Sequence, residues 1–159
     1  MNSIIQNYYG VFEMYQALRN QLMDLLADDD LGFSPGGDNP SLGALCQELG
    51  EVEYAYIQSF KTLTQDFSYR NDAPGLADSV AKLSAWYADL DGQLKATVEG
   101  LSEEDVQNKV IHRGPNFDLP PQIQLDVYKE ALLIFYGKVA VYLRVMGKPL
   151  PKQWQEWLG

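Results

Sequence analysis

The chain has 159 residues, a length suited to one hydrophobic core, and we predict a single domain over residues 1–159. Its 22 acidic and 12 basic residues give a formal net charge of −10, which argues against nucleic acids and anionic membrane surfaces as partners. The single cysteine, Cys46, excludes an internal disulfide and is expected to be a small packing residue. Without a signal peptide or a membrane-spanning run, a cytoplasmic location is expected.

Three long helices are predicted in the first two thirds of the chain. The first spans Ser3 to Ala27, with apolar residues spaced four and three apart, and the acids at 28–30 are expected to fray its end. The second runs from Ser41 to about Leu63 with similar spacing. The third runs from about Leu76 to Val98, and Gly92 within it is expected to admit a close neighbour.

The rest of the chain predicts a short helix, a loop and a last long helix. Ser102 caps a helix to about Lys109, residues 112–121 form a loop, and the last helix ends at Gly147. The segment from Ala131 to Tyr136 is apolar almost all round, which predicts that this helix is the most buried. Because no segment shows the alternation of a strand, the fold class is predicted to be an all-α four-helix bundle.

Two segments carry a family resemblance. Residues 137–154 read GKVAVYLRVMGKPLPKQW, and residues 41–53 read SLGALCQELGEVE. Both resemble helices of the DinB-like (YfiT-like) four-helix-bundle proteins, the first resembling the last helix with its tail and the second resembling helix two. The resemblance implies helices in up-down-down-up order, and it implies a homodimer, because proteins of this family are often dimeric.

The same resemblance implies a metal site that this sequence does not supply. In that family three histidines, one on the second helix and two on the last, typically hold nickel or zinc. The matching positions here carry Glu48, Ala131 and Phe135, and the only histidine, His112, falls in the predicted loop. A three-histidine site is therefore impossible within one chain, no cofactor is predicted, and Phe135 is expected to fill the space of the metal.

Carboxylates offer an alternative to the missing histidines. Glu48, Glu51 and Glu130 could hold a hard cation, although Glu51 and Glu130 are expected on solvated helix faces. If Glu48 faces a pocket, its carboxylate needs a partner, and Tyr128 and Tyr136 are the candidate hydrogen-bond donors.

Three functions stay open from the sequence. The chain could bind a small molecule without the family's metal, or it could be a metal-dependent transferase or hydrolase that uses Glu48 and other non-histidine ligands. It could also be a homodimer whose interface is the function, with Trp154 and Trp157 either capping the bundle end or joining that interface. The residues expected to line the pocket are Glu48, Tyr128, Ala131 and Phe135.

Overall fold

A computed structural model describes residues 1–158, which fold mainly into helices and thereby confirm the all-α class. The helices are α1 (Ser3–Asn7), α2 (Tyr9–Leu25), α3 (Leu42–Thr62), α4 (Val80–Glu99), α5 (Glu103–Asn108), α6 (Pro121–Val145) and α7 (Lys152–Leu158). Two short strands, β1 (Ile111–Gly114) and β2 (Phe117–Leu119), precede α6.

The four long helices, α2, α3, α4 and α6, surround the core. α2 and α3 each pack against both α4 and α6, and the buried apolar side chains form one cluster between them. The up-down-down-up order stays a prediction. None of the helices within residues 1–158 combines the length and hydrophobicity that a membrane span requires.

The predicted first helix is divided at Tyr8 into α1 and α2. Tyr8 leaves helical geometry with φ −133°, and its hydroxyl contacts both Asp126 and Lys129 of α6. The buried side-chain amide of Asn2 donates to the carbonyls of Val98 and Leu101 at 2.8 Å, so α1 is tied to the end of α4. The contacts of Asn2 therefore fix α1 at the end of α4, while those of Tyr8 fix the start of α2 at α6.

The acids at 28–30 do not fray a helix end, contrary to the expectation. A 3-10 helix, Asp28–Gly32, begins there, so the three carboxylates lie in its first turn, where the helix dipole favours negative charge. Asp30 also accepts a hydrogen bond from the Ala27 backbone at 2.8 Å and pairs with Lys148 at 3.0 Å.

The expectation of no strands was wrong for residues 111–119. β1 and β2 pair antiparallel, and Asn116 in the turn between them has φ 59°, a conformation that asparagine tolerates. The backbone of His112 also exchanges two hydrogen bonds with the segment after α3, donating to Leu63 at 2.9 Å and accepting from Gln65 at 2.8 Å. Strands of four and three residues are too short to show a periodic pattern in sequence.

The prediction that the Ala131–Tyr136 helix is buried on all sides was also wrong. α6 buries Leu132, Phe135 and Tyr136, but Ile134 between them is 62% exposed. The helix lies at the outside of the protein with one apolar stripe facing solvent. The sequence shows hydrophobicity but not which side of a helix its neighbours leave uncovered.

Close helix packing depends on two glycines of α3 rather than on Gly92. A Cβ added at Gly43 would lie 1.9 Å from the carbonyl oxygen of Ala77, and one at Gly50 would lie 2.3 Å from the ring of Trp86. A Cβ at Gly92 would meet no atom within 4 Å. The close approach of α3 to α4 and to the segment that precedes α4 therefore requires glycine at these two positions of α3. α4 begins at Val80, after the N-cap Ser79, and not at Leu76 as the sequence predicted.

We expect Gly43→Ala and Gly92→Ala to change stability in opposite directions. Gly43→Ala forces its methyl group into the Ala77 carbonyl and should cost about 1–3 kcal/mol of unfolding free energy. Gly92→Ala has open space and should add up to about 1 kcal/mol by raising helix propensity. Urea unfolding of the two variants measures both changes. Equal stability of Gly43→Ala and the parent would contradict the close approach.

Candidate functional site

Most of the predicted site residues line a groove between α3 and α6. Its central pocket, with a volume of about 170 Å³, has apolar walls and two charged side chains. The groove is called the α3–α6 groove below. Its central pocket is lined by Leu45, Glu48, Leu49, Val52, Ala131, Ile134, Phe135 and Lys138.

Glu48 lies where this pocket meets two neighbouring ones. A pocket of about 430 Å³ on one side includes Glu51, Phe67 and Arg70, and one of about 470 Å³ on the other includes Lys138 and residues of the 35–40 loop. The side chain of Glu48 is exposed, and no hydrogen bond or ion pair joins it to another residue within 1–158. Its carboxylate is therefore available to a molecule in the groove.

The structure brings together three of the four predicted pocket residues. Glu48, Ala131 and Phe135 line the central pocket, with Phe135 almost fully buried at its wall. Tyr128 lies elsewhere, fully buried in the core with its ring 5.6 Å from that of Phe12. Its hydroxyl has no hydrogen-bond partner in the described chain.

The predicted partners of Glu48 are engaged elsewhere or out of reach. Tyr136 donates its hydroxyl hydrogen bond to the carbonyl of Tyr15 at 2.6 Å. Tyr128 is enclosed by other aromatic rings, including that of Tyr56 at 4.9 Å. Because Glu48 is exposed to solvent, its carboxylate does not need the hydrogen-bond donor that was predicted for a buried position.

Glu51 is buried, although the sequence predicted a solvated face. It is 8% exposed and accepts hydrogen bonds at 3.0 Å from the Gln47 side chain and from the Asn71 backbone. Arg70 adds an ion pair at 3.7 Å. The segment after α3 folds back over the helix and supplies Arg70 and Asn71, which no local pattern in α3 reveals. Glu130, in contrast, is exposed as expected.

The donor atoms at the groove do not fit a metal held by three histidines. The side chains of Ala131 and Phe135 offer no ligand atom to a metal, and His112 lies in the hairpin, where its Nδ1 contacts Asp118 at 2.6 Å. Within residues 1–158 no three His, Cys, Asp or Glu side chains are grouped as a metal site. Burial raises the pKa of Cys46 to about 12, so its thiol stays protonated and unreactive near neutral pH.

A buried polar cluster, missed by the sequence analysis, lies at the centre of the helices. Arg19 of α2 is fully buried and donates to Glu53 of α3 at 2.5 Å and to Asp91 of α4 at 2.6 Å. Gln16 donates to Asp91 at 2.5 Å and to Glu53 at 3.3 Å. The Arg19 guanidinium also lies 4.0 Å from the centre of the Tyr87 ring.

The charges of this cluster depend on one another. Burial raises the pKa of Glu53, and the neighbouring Arg19 opposes that rise. Burial alone would lower the pKa of Arg19, but the carboxylates, Glu53 first, outweigh it and hold that pKa well above its ordinary value. The sequence carries only a weak signal of this cluster, because Gln16 and Arg19 lie three residues apart and therefore on one helix face. Their burial is evident only from the structure.

These features define an all-α protein with a charged, apolar-walled groove between two long helices. The DinB superfamily model matches residues 12–134, more than half of the chain, and the chain therefore belongs to the DinB superfamily. A crystal structure of a DinB-like protein of Bacillus subtilis, YjoA, has the same fold with a TM-score of 0.68. The two sequences are 17% identical, and the alignment covers 88% of this chain and 92% of YjoA. No curated protein matches the sequence.

We expect Arg19→Met to destabilise the protein more at pH 8 than at pH 5. The substitution leaves Glu53 buried without its counter-charge, a change that costs about 3–5 kcal/mol where the carboxylate must ionise. Its pKa in the folded state then rises further above the ordinary 4.5. The unfolded chain releases the Glu53 proton near pH 4.5, while the folded chain still retains it at that pH. The free energy of unfolding of the variant therefore falls as pH rises from 4.5 toward the raised pKa of the folded state.

Urea unfolding at the two pH values measures this difference. The double variant Arg19→Met with Glu53→Gln is the control, because an amide cannot titrate and the difference between the two pH values should disappear. An equal loss of stability at pH 5 and pH 8 in Arg19→Met would contradict the assigned ion pair.

Proposed function

We propose that this chain binds a small organic molecule in the α3–α6 groove and does so without the three-histidine metal of its family. The observation that carries the proposal is the free carboxylate of Glu48 at the junction of three pockets, above the apolar wall of Ala131 and Phe135. Ligand sites typically combine apolar walls with a few polar groups that orient the ligand.

A metal-dependent transferase or hydrolase that uses Glu48 has less support. Such a site would need at least two further protein ligands beside Glu48. Glu51 already accepts hydrogen bonds from Gln47 and Asn71, and Glu130 lines none of the three pockets. The groove residues therefore favour binding of an organic molecule over binding of a hydrolytic metal ion.

The uncharged probe para-fluorobenzyl alcohol should bind the groove, and fluorine NMR measures its binding. We expect line broadening with the parent protein in the presence of EDTA, because the apolar wall rather than a metal holds the probe. Ala131→Trp should abolish it by filling the central pocket of about 170 Å³. Ile134→Trp, at an exposed position of the same pocket, is a second blocking variant in case Ala131→Trp does not fold.

The matched control is Gln122→Trp, an exposed position on the same helix that lines none of the groove pockets. It should leave probe binding unchanged. Loss of binding on removal of metal by EDTA, or equal binding by parent and both blocking variants, would overturn the proposed function.

A homodimer is a second candidate, which the solvent-exposed stripe of α6 favours. Ile123, Ile134, Val141 and Val145 are each more than 40% exposed, and their spacings of 11, 7 and 4 place them on one helix face. Apolar stripes of this length are typical of contact surfaces. A second copy carries the same stripe, so a two-fold symmetric contact would cover both at once.

If this stripe forms a dimer contact, Val145→Asp should weaken the dimer at least about ten-fold. Each symmetric contact would bury the new carboxylate twice without a partner, which costs several kcal/mol. Sedimentation at micromolar concentration measures the change, with Val11→Asp as control at a similarly exposed position of α2. A parent protein that is monomeric under these conditions would remove the dimer proposal.

A further inference from the structure

Two opposite charges without protein partners face the central pocket of the α3–α6 groove. Glu48 projects from α3 and Lys138 from α6, and both also line the adjoining pocket of about 470 Å³. No ion pair joins them to each other or to any other residue that the structure describes. Glu51, the other acid that lines one of the three pockets, already contacts Gln47, Asn71 and Arg70.

The wall below these charges is apolar and of limited size. Leu49, Ala131 and Phe135 belong to it, and the central pocket measures about 170 Å³. A cavity of about 150 Å³ lined by similar residues is large enough for one benzene molecule. The pocket therefore has room for a single aromatic ring or a branched aliphatic group.

The charges above the wall discriminate among molecules that carry such a group. Lys138 repels a ligand with only an ammonium group, and Glu48 repels one with only a carboxylate. A ligand that carries both groups can pair each with its opposite charge and leave no repulsion. The arrangement therefore favours a zwitterion whose apolar group lies in the central pocket.

We infer that the ligand of the α3–α6 groove is an apolar α-amino acid or a zwitterion of the same shape. Its ammonium group lies at Glu48, its carboxylate at Lys138, and its side chain against Ala131 and Phe135. This inference rests on the proposed function, to which it adds the chemical class of the ligand.

The test compares four fluorinated ligands that share one ring, measured by fluorine NMR titration. They are para-fluoro-L-phenylalanine, para-fluorophenethylamine, para-fluorophenylpropionate and the uncharged para-fluorobenzyl alcohol. The zwitterion should bind at least about five-fold more tightly than either singly charged ligand, as expected for one exposed charge pair gained and one repulsion avoided.

Two variants assign the charges. Glu48→Gln should remove the advantage of the zwitterion over para-fluorophenylpropionate, and Lys138→Gln should remove its advantage over para-fluorophenethylamine. Both side chains are exposed, so neither change disturbs the core. Glu130→Gln, an exposed acid on α6 that lines none of these pockets, should change none of the affinities.

The outcomes separate this inference from the proposed function. If para-fluorobenzyl alcohol binds and Ala131→Trp abolishes that binding, but the zwitterion has no advantage, the inference is overturned while the groove remains a binding site. An advantage that survives both Glu48→Gln and Lys138→Gln also overturns it. If none of the four ligands binds, both are overturned.

Discussion

The contact between Arg19 and Glu53 fixes the position of three long helices. Both side chains are fully buried, and Asp91 of α4 shares the same guanidinium. Removing two charges from water is so unfavourable that such a pair adds little net stability, but breaking it leaves a bare charge in the core. A shift of α2 by one turn along its axis would separate Arg19 from both acids. The cluster therefore selects one arrangement of α2, α3 and α4.

This arrangement also determines which acid of α3 faces the groove. Glu53 and Glu48 are five residues apart, so their side chains point about 140° apart around the helix axis. With Glu53 turned toward Arg19, Glu48 turns to the side where α6 packs, and it lines the pocket with Ala131 and Phe135. The same helix thus supplies one buried carboxylate that fixes the positions of neighbouring helices and one that is exposed in the groove.

The sequence predicted the helices best where apolar residues alone form the buried face. In α4 the apolar residues that recur every three or four positions from Leu83 to Val98 are all buried. α2 departs from its prediction because Gln16 and Arg19 are buried, while Val11, one of the apolar residues spaced four and three apart, is 52% exposed. A pattern based on hydrophobicity assigns a buried arginine to solvent unless its partner is known, and that partner lies 34 residues further along the chain.

The sequence likewise predicted only those residues of the groove that local motifs on α3 and α6 specify. The family motifs predicted that Glu48, Ala131 and Phe135 line one pocket, because each motif fixes the positions of its residues on one helix. They could not indicate that Lys138 lines the same pocket as Glu48 or that Glu51 is covered, since these features depend on how α6 and the segment after α3 are placed. Tyr128 was predicted as a hydrogen-bond donor to Glu48 from its position in the sequence alone, but the packing of α6 buries it in the core beside Phe12.

Under the proposed function, a groove lined by a phenyl ring and a methyl group would recognise ligands differently from the three-histidine site that the family resemblance implies. A three-histidine metal site draws its affinity from coordinate bonds and accepts any molecule that offers the metal a suitable donor atom. A ligand in a groove with Phe135 and Ala131 at its wall would gain affinity mainly from the apolar area removed from water, about 25 cal/mol per Å². Apolar contact alone distinguishes ligands poorly by polarity. Selectivity among ligands of the proposed site would then come from Glu48 and Lys138, the two charges lining the central pocket that no other described residue neutralises.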